Sequence, residues 1–393
     1  MRNLIINERN NIARQRMPPM GQREFSQRDT QTLCALDNRR SNSQNRRMTD
    51  MTQPFSQSPA PASSLAGRKG WIITDGKAGM VVQAKGVADA LGLDYVMKDV
   101  DPSGIWRILA PWGPVDPAAK LGQPGSVFAP PWPAVAIATG RASIPYIRAI
   151  KKLAGPQTYT VVLQDPKSGP GTADLIWVPQ HDKRRGPNVL ATLTSPHSFT
   201  PARLKQLADE LPDEIKVLPS PRVAVVLGGK NGVYKFTEDD DARFAASLRS
   251  LSALGASFLI TPSRRTHQRL IAAAEDATRD APCILWTGEG ANPYPHFLAA
   301  ADILIVTADS VNMCGEACAT GKPVYIFTPS GGSAKFARFH QGLAEHGATR
   351  PLPTVFENLE NWTYEPLDSA ARIAGEINHR YAKRKQMLSG IMS

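Results

Sequence analysis

The sequence predicts an α/β protein with two parallel-sheet domains, preceded by a tail with no fold of its own. Three observations predict it. Short β-branched runs alternate with helical segments from Gly70 to Met387, a rhythm that requires parallel pairing through right-handed crossovers. Most of the runs end in Gly-bearing or polar turns, as expected where the carboxyl ends of parallel strands open onto a crevice. A proline-marked stretch, VLPSPR, breaks the rhythm once, and divides the chain into residues 70–215 and 216–355, with 356–393 as a final helix and tail.

Residues 1–69 are rich in Arg, Asn, Gln, Ser and Pro and lack a sustained apolar period, which marks a disordered segment. Arg without Lys ahead of Met48 resembles a transit peptide, but Glu8, Glu24, Asp29 and Asp37 and the missing amphipathic helix argue against one. Two accounts of the segment remain: a disordered tail, and translation that begins at Met48.

The first domain opens on GWIITDGKAGMVVQAKGVADALGLDYVMKDV, read as strand, turn, helix, Gly stop and strand. Its turn, Asp75 to Gly79, lacks the GxGxxG fingerprint of a dinucleotide site. Ile105 to Trp132 reads as a loop with a short helix. Its Trp106, Trp112 and Trp132 are packing anchors or an apolar lip over a cleft. AVAIATG, TYTVVLQD and DLIWVPQHD are three further strands, with a helix at Ile144 to Leu153 after the first. Where these strands end stand Thr139 and Arg141, Gln164 and Asp165, and His181 and Asp182, each readable as a loop cap or as a catalytic group.

In the second domain a buried strand runs into Gly228-Gly229-Lys230-Asn231. The GxxxxGK[ST] spacing of a P-loop is absent, yet two glycines would let backbone amides and Lys230 approach a pyrophosphate. The next strand ends in Ser263, Arg264, Arg265 and Thr266, and adjacent arginines can clamp a phosphate bidentately. The stretch that organises the domain is Ala301 to Phe327, with a strand at Ile303 to Val306, a small-residue helix, a Gly-Lys-Pro stop and a strand at Val324 to Phe327. At 100° per residue Asp309, Asn312, Glu316 and Thr320 share one side, while Val311, Cys314 and Cys318 share the other. The helix start favours a phosphate, and Glu316, two turns in, could accept from ribose hydroxyls. Leu367 to Met387 reads as a last amphipathic helix.

At 393 residues and 42% hydrophobic the chain can bury two cores. No apolar run is long enough to span a bilayer as a helix. Of the net charge of +11, residues 1–69 carry +7, leaving +4 for the rest. A body so weakly basic argues against a nucleic-acid partner. Four cysteines, Cys34, Cys283, Cys314 and Cys318, show neither paired zinc spacing nor disulfide density, which reads as reduced thiols in a cytoplasm. Cys314 and Cys318 are expected to be small core hydrophobes.

The stretch DSxxMxxEAxxxGKPV resembles the nucleotide-sugar half of two-domain glycosyltransferases of the GT-B fold. More closely, the body from about Gly70 to Leu352 resembles the mitochondrial-fission "elongated mitochondria" family, which has bacterial members. The matching motifs are DGKAG, QDP, PQHD with NVLATLTSPH, VVLGGK, PSRRT, NPYPHFLAAAD and VTADSVNMCGEACATGKPV. This resemblance implies a GT-B-like fold, two Rossmann-like domains facing across a cleft, and transfer of a sugar from a nucleoside diphosphate sugar as co-substrate, with no cofactor or metal. The acceptor would be a glycan or a lipid-linked envelope sugar, in the cytoplasm or with a peripheral contact at the cytoplasmic membrane. Family analogy also implies a dynamin-like partner. Ser310 and Met313 depart from the Gly, and from the Thr or Ser, usual in active glycosyltransferases.

In that reading Glu316 holds ribose, and Ser310, Asn312 and Asp309 with Gly228, Gly229, Lys230, Arg264 and Arg265 make the nucleotide-sugar site, stabilising the leaving diphosphate. Asp75, Asp165 and His181 are the candidate bases for an acceptor hydroxyl. A nucleoside-diphosphate-sugar epimerase using the same pocket and a non-catalytic scaffold are the alternatives.

Overall fold

The computed structural model describes residues 65–391; Cys34 and all of the predicted tail but residues 65–69 lie outside them. The chain forms two six-stranded sheets, every pairing of which is parallel. The first is built from β1 (Lys69–Thr74), β2 (Asp94–Asp99), β3 (Val135–Thr139), β4 (Tyr159–Leu163), β5 (Leu175–Pro179) and β6 (Val189–Thr192), in the order β2-β1-β3-β4-β5-β6. Its helices are α1 (Ala78–Ala90), α2 (Gly104–Leu109) and α3 (Ile144–Ala154). Strands β3, β4 and β5 are buried at every position, which is why they read as continuous apolar runs. Short, half-buried β6 gave no such signal, and it went unpredicted as a strand.

After α4 (Pro201–Asp209) and α5 (Asp213–Lys216) comes the second sheet: β7 (Arg222–Leu227), α6 (Glu238–Ala253), β8 (Ser257–Pro262), α7 (Gln268–Ala277) and β9 (Cys283–Leu285). It continues through α8 (Tyr294–Ala300), β10 (Ile303–Thr307), α9 (Val311–Cys318), β11 (Val324–Phe327), α10 (Ala334–Glu345) and β12 (Thr349–Pro351). The strand order is β12-β11-β10-β7-β8-β9. Helix α6 starts on a capping box in which Thr237 and Asp240 satisfy each other's backbone N–H.

Three boundaries differ from the sequence reading. Leu65, ahead of Gly70, is fully buried in the first core. Phe199, Leu207, Leu211 and Ile215 pack in the second core, so α4 and α5 belong with the second sheet although they precede VLPSPR. The last helix, α11 (Ser369–Ile391), buries Ile373, Ala374 and Ile377 in the first core. The chain therefore crosses between the domains twice, near 193–199 and again near 367–369. Thr194 and Ser369 hydroxyls meet at 2.7 Å where the crossings touch.

The first crossing is squeezed against α1: a Cβ on Gly86 would lie 2.6 Å from the carbonyl oxygen of His197. That atom is backbone and cannot swing aside. Gly86→Ala should therefore destabilise by roughly 1–3 kcal/mol, read as a lower midpoint in urea unfolding, and an unchanged midpoint would refute the close-approach argument.

Candidate functional site between the two sheets

Each strand order reverses once, between β1 and β3 in the first sheet and between β7 and β10 in the second. Crevices for ligands open at such switch points, beyond the carboxyl ends of the strands. Most of the predicted residues gather at the two of them, while His181 follows β5, two strands from β3, and meets α10.

At the second switch point the turn after β7 lies against the turn after β10. The Gly228 N–H donates to Thr307 Oγ1 at 2.7 Å and the Gly229 N–H to Asp309 Oδ2 at 3.1 Å. Thr307 Oγ1 donates in turn to Asp309 Oδ1 at 2.7 Å. Arg265 Nη2 donates to Asp309 Oδ2 at 2.8 Å, and its Nη1 to the Gly229 carbonyl at 3.2 Å. A Cβ on Gly228 would stand 2.0 Å from Asp309 Oδ1, and one on Gly229 2.0 Å from the Arg265 carbonyl oxygen. Close approach is what these glycines are for. Asp309, read as part of the nucleotide-sugar site, is buried: it precedes α9, and its side chain is 0% exposed. Arg265 is likewise partly committed to holding the turn, whereas Lys230 and Arg264 are exposed.

Ser310 is the N-cap of α9, its Oγ accepting from the Met313 N–H at 3.4 Å. Cys314 and Cys318 are fully buried, as expected of core hydrophobes. Glu316, read on the polar side of α9, is buried as well. Tyr294 Oη donates to its Oε2 at 2.6 Å. Burial pushes the Glu316 carboxyl up to about 7, with the Tyr294 hydrogen bond opposing. Tyr294, Met313, Trp286, Asn292 and Arg264 line a cavity of about 330 Å³ beyond β7 and β8. Met313, a departure from the glycosyltransferase pattern, is thus a wall of this cavity. Tyr294 lay inside a quoted motif, but nothing in its spacing pointed to a partner 22 residues on.

At the first switch point Asp75 leans on Gly140, whose Cβ would stand 2.4 Å from Asp75 Oδ1 and whose φ is +90°. Lys77 Nζ lies 3.0 Å from Oδ2, while Oδ1 is buried with no hydrogen-bond partner. Asp165 is more heavily engaged, by Arg184 at 2.7 Å and Lys167 at 2.9 Å. Burial opposes its charge, but the hydrogen bonds from Lys167 and Arg184 win and hold the carboxyl below its ordinary range. The His181 imidazole is held down at about 4 by burial and by nearby Lys335, so it is neutral at pH 7. Clefts of about 380 and 240 Å³ flank Arg141; Asp75 lines the larger, and Gln164 and Asp165 the smaller. The three tryptophans differ in burial, Trp106 being half-buried. Trp132 packs on Trp71 with ring centroids 5.7 Å apart, while Trp112, like Ile105 and Ile108 of α2, is exposed beside the smaller cleft.

The carboxyl ends of the two sheets face each other. Lys335 of α10 pairs with Asp182 at 2.7 Å, and Arg338 donates to the His181 carbonyl at 3.4 Å. Gln83 of α1 donates to Asn312 Oδ1 at 3.1 Å. No sequence signal singles out Gln83, because a lone Gln in a helix carries no motif.

Residues 78–381 match the family model described as "Mitochondrial fission ELM1". The Arabidopsis thaliana "Mitochondrial fission protein ELM1" is 31% identical over 277 residues, 64% of this chain and 65% of that protein. An "Uncharacterized protein RP120" of Rickettsia prowazekii is 35% identical over 156 residues, 38% of this chain and 44% of that one. The chain thus spans less than two thirds of either relative's length. Among solved structures, a UDP-GlcNAc 2-epimerase from Methanocaldococcus jannaschii aligns at 12% identity and a TM-score of 0.47, over 79% of this chain and 99% of that one. Acinetobacter baumannii MurG aligns at 14% and 0.43, over 81% and 92%. From the extent of the family match and the motifs that carry it, the chain belongs to the mitochondrial fission ELM1 family.

Proposed function

We propose that the chain is a nucleotide-sugar-dependent glycosyltransferase, passing a sugar from a nucleoside diphosphate to a glycan or lipid-linked acceptor. The observation that carries this reading is the pairing of the Gly228–Lys230 turn with the start of α9 at one switch point, opposite Asp75 and Arg141 at the other. Lys230, Arg264 and the first amides of α9 receive the diphosphate, and Glu316 takes the ribose hydroxyls once Tyr294 yields its hydrogen bond. The acceptor oxygen bonds the anomeric carbon as the bond to the diphosphate breaks, the electron pair leaving with the phosphate. Asp75 takes the acceptor proton. It is preferred to Asp165, which two cations occupy, and to His181, whose low basicity makes it a weak proton acceptor. Exposed Trp112 and α2 give a lipid-linked acceptor an apolar lip to approach.

A specific observation also favours the non-catalytic scaffold. Asp309 engages Arg265 and Tyr294 engages Glu316, two groups that a nucleotide would use. The Arabidopsis relative, named for mitochondrial fission, agrees with a partner-binding shell.

Thermal unfolding with uridine, guanosine, adenosine and thymidine diphosphates separates the two readings. At one hundred times its dissociation constant, a bound nucleotide adds about 2.7 kcal/mol, a rise of roughly 5–10 °C for a domain of this size. Lys230→Ala should reduce the rise and Asp75→Asn should leave it intact. A panel without any shift would leave the scaffold reading standing.

A further inference from the structure

The polar contact at Asn312 does not end at Gln83. Gln83 is 4% exposed, and both ends of its amide are used: Nε2 donates to Asn312 Oδ1, and Oε1 accepts from Gln164 Nε2, each at 3.1 Å. Gln164 stands at the carboxyl end of β4 with φ +75°, a left-handed backbone that a non-glycine residue keeps only where its surroundings fix it. Its N–H is fixed by the Trp177 carbonyl at 2.8 Å, and its side chain lines the smaller first-domain cleft. The far end of the relay is equally tight: a Cβ on Gly79, in the first turn of α1, would lie 3.1 Å from Asn312 Nδ2. One buried amide therefore joins the first-domain cleft to the start of α9.

We infer that Gln83 is a positioning residue that couples the two halves of the site, so that whatever engages Asn312 also resets Gln164 and the acceptor-side cleft. The inference rests on the proposed nucleotide reading for the identity of the ligand, but the Gln164–Gln83–Asn312 connection stands apart from it. A diphosphate received at the start of α9 accepts from Asn312 Nδ2 and draws that amide away from Gln83, whose Nε2 donates to its Oδ1. Gln83 released from Asn312 no longer holds Gln164 at a fixed point, and the cleft beside it reshapes. Donor binding would then precede and prepare acceptor binding.

Hydrogen exchange of the full chain, followed on peptides covering 160–168, 226–231 and 307–318, tests the coupling. Two variants are compared with the wild type. Gln83→Leu cuts both links at similar volume, and Gln83→Glu keeps the acceptor for Gln164 while removing the donor to Asn312. Without ligand, Gln83→Leu should exchange severalfold faster at both 160–168 and 307–318, and Gln83→Glu chiefly at 307–318. Faster exchange confined to α1, or none, would overturn the inference. With uridine diphosphate as the probe, wild type should gain protection at 226–231 and change at 160–168. Gln83→Leu should keep the first response and lose the second. If both variants transmit the nucleotide signal to 160–168 as wild type does, the relay does not carry it. A wild type silent at 226–231 counts against the nucleotide reading, while the ligand-free comparison still decides the connection.

Discussion

Asp309→Ala should lower stability by about 3 kcal/mol, because it strips acceptors from the Thr307 hydroxyl and the Gly229 N–H in a buried place. The corresponding fall in melting temperature is roughly 6–12 °C. Arg265, half exposed, can turn to water, so the loss is set by the two stranded donors more than by the ion pair. Asp309→Asn keeps one acceptor oxygen and should fall about half as far. Gly228→Ala tests the same turn from the other side, since its methyl would occupy the place of Asp309 Oδ1. Melting curves of the three variants should order as Asp309→Ala and Gly228→Ala well below Asp309→Asn, with wild type highest. If Asp309→Ala melts with wild type, the carboxylate is not what holds the Gly228–Lys230 turn.

Glu316 makes stability depend on pH in the sense opposite to an ion-paired carboxylate. Its folded value of about 7 lies above the ordinary 4.5, so between those values the folded chain holds a proton that the unfolded chain releases. Stability from this group therefore falls as pH rises across that interval. The burial cost is absent below about 4.5 and fully present above about 7, where it amounts to about 3 kcal/mol. Glu316→Gln keeps an acceptor for Tyr294 and has no charge to bury. The difference in unfolding free energy between variant and wild type should therefore shift in the variant's favour by about 3 kcal/mol from pH 4.5 to pH 8. A difference that stays constant with pH would mean that the carboxyl is not isolated from water as its burial implies. Nucleotide binding through ribose should rise over the same interval, as Glu316 ionises into a better acceptor.

The stretch from β10 to β11 was legible almost to the residue. Its β-branched run, the Ser310 cap and the Gly321-Lys322-Pro323 stop act through neighbours in sequence, so the chain states its own helix start and end. The same holds for the turn after β7, where two glycines announced a close approach without saying to what. Edge strands β6 and β12 were missed because short, partly exposed strands lack the buried apolar run. Glu316 was placed on the right element and on its polar side, but a helical wheel cannot see Tyr294 arriving from α8 to bury it. The C-terminal helix was found, but its docking on the first core depends on Ile373 and Ile377 meeting α1 from the far end of the chain.

Sequence alone determined the α/β class, the glycine turns, the cap of α9 and the residues that could meet a phosphate, because propensity, capping and turn chemistry act over a few residues. The tertiary structure decided which of those residues stay exposed and which brace the turn. It buried Asp309 beneath Gly228 and Gly229, closed Tyr294 onto Glu316, and passed Gln83 between Asn312 and Gln164. Those outcomes follow from strand order and domain packing, which join groups far apart in the chain and leave no local pattern from which to read them.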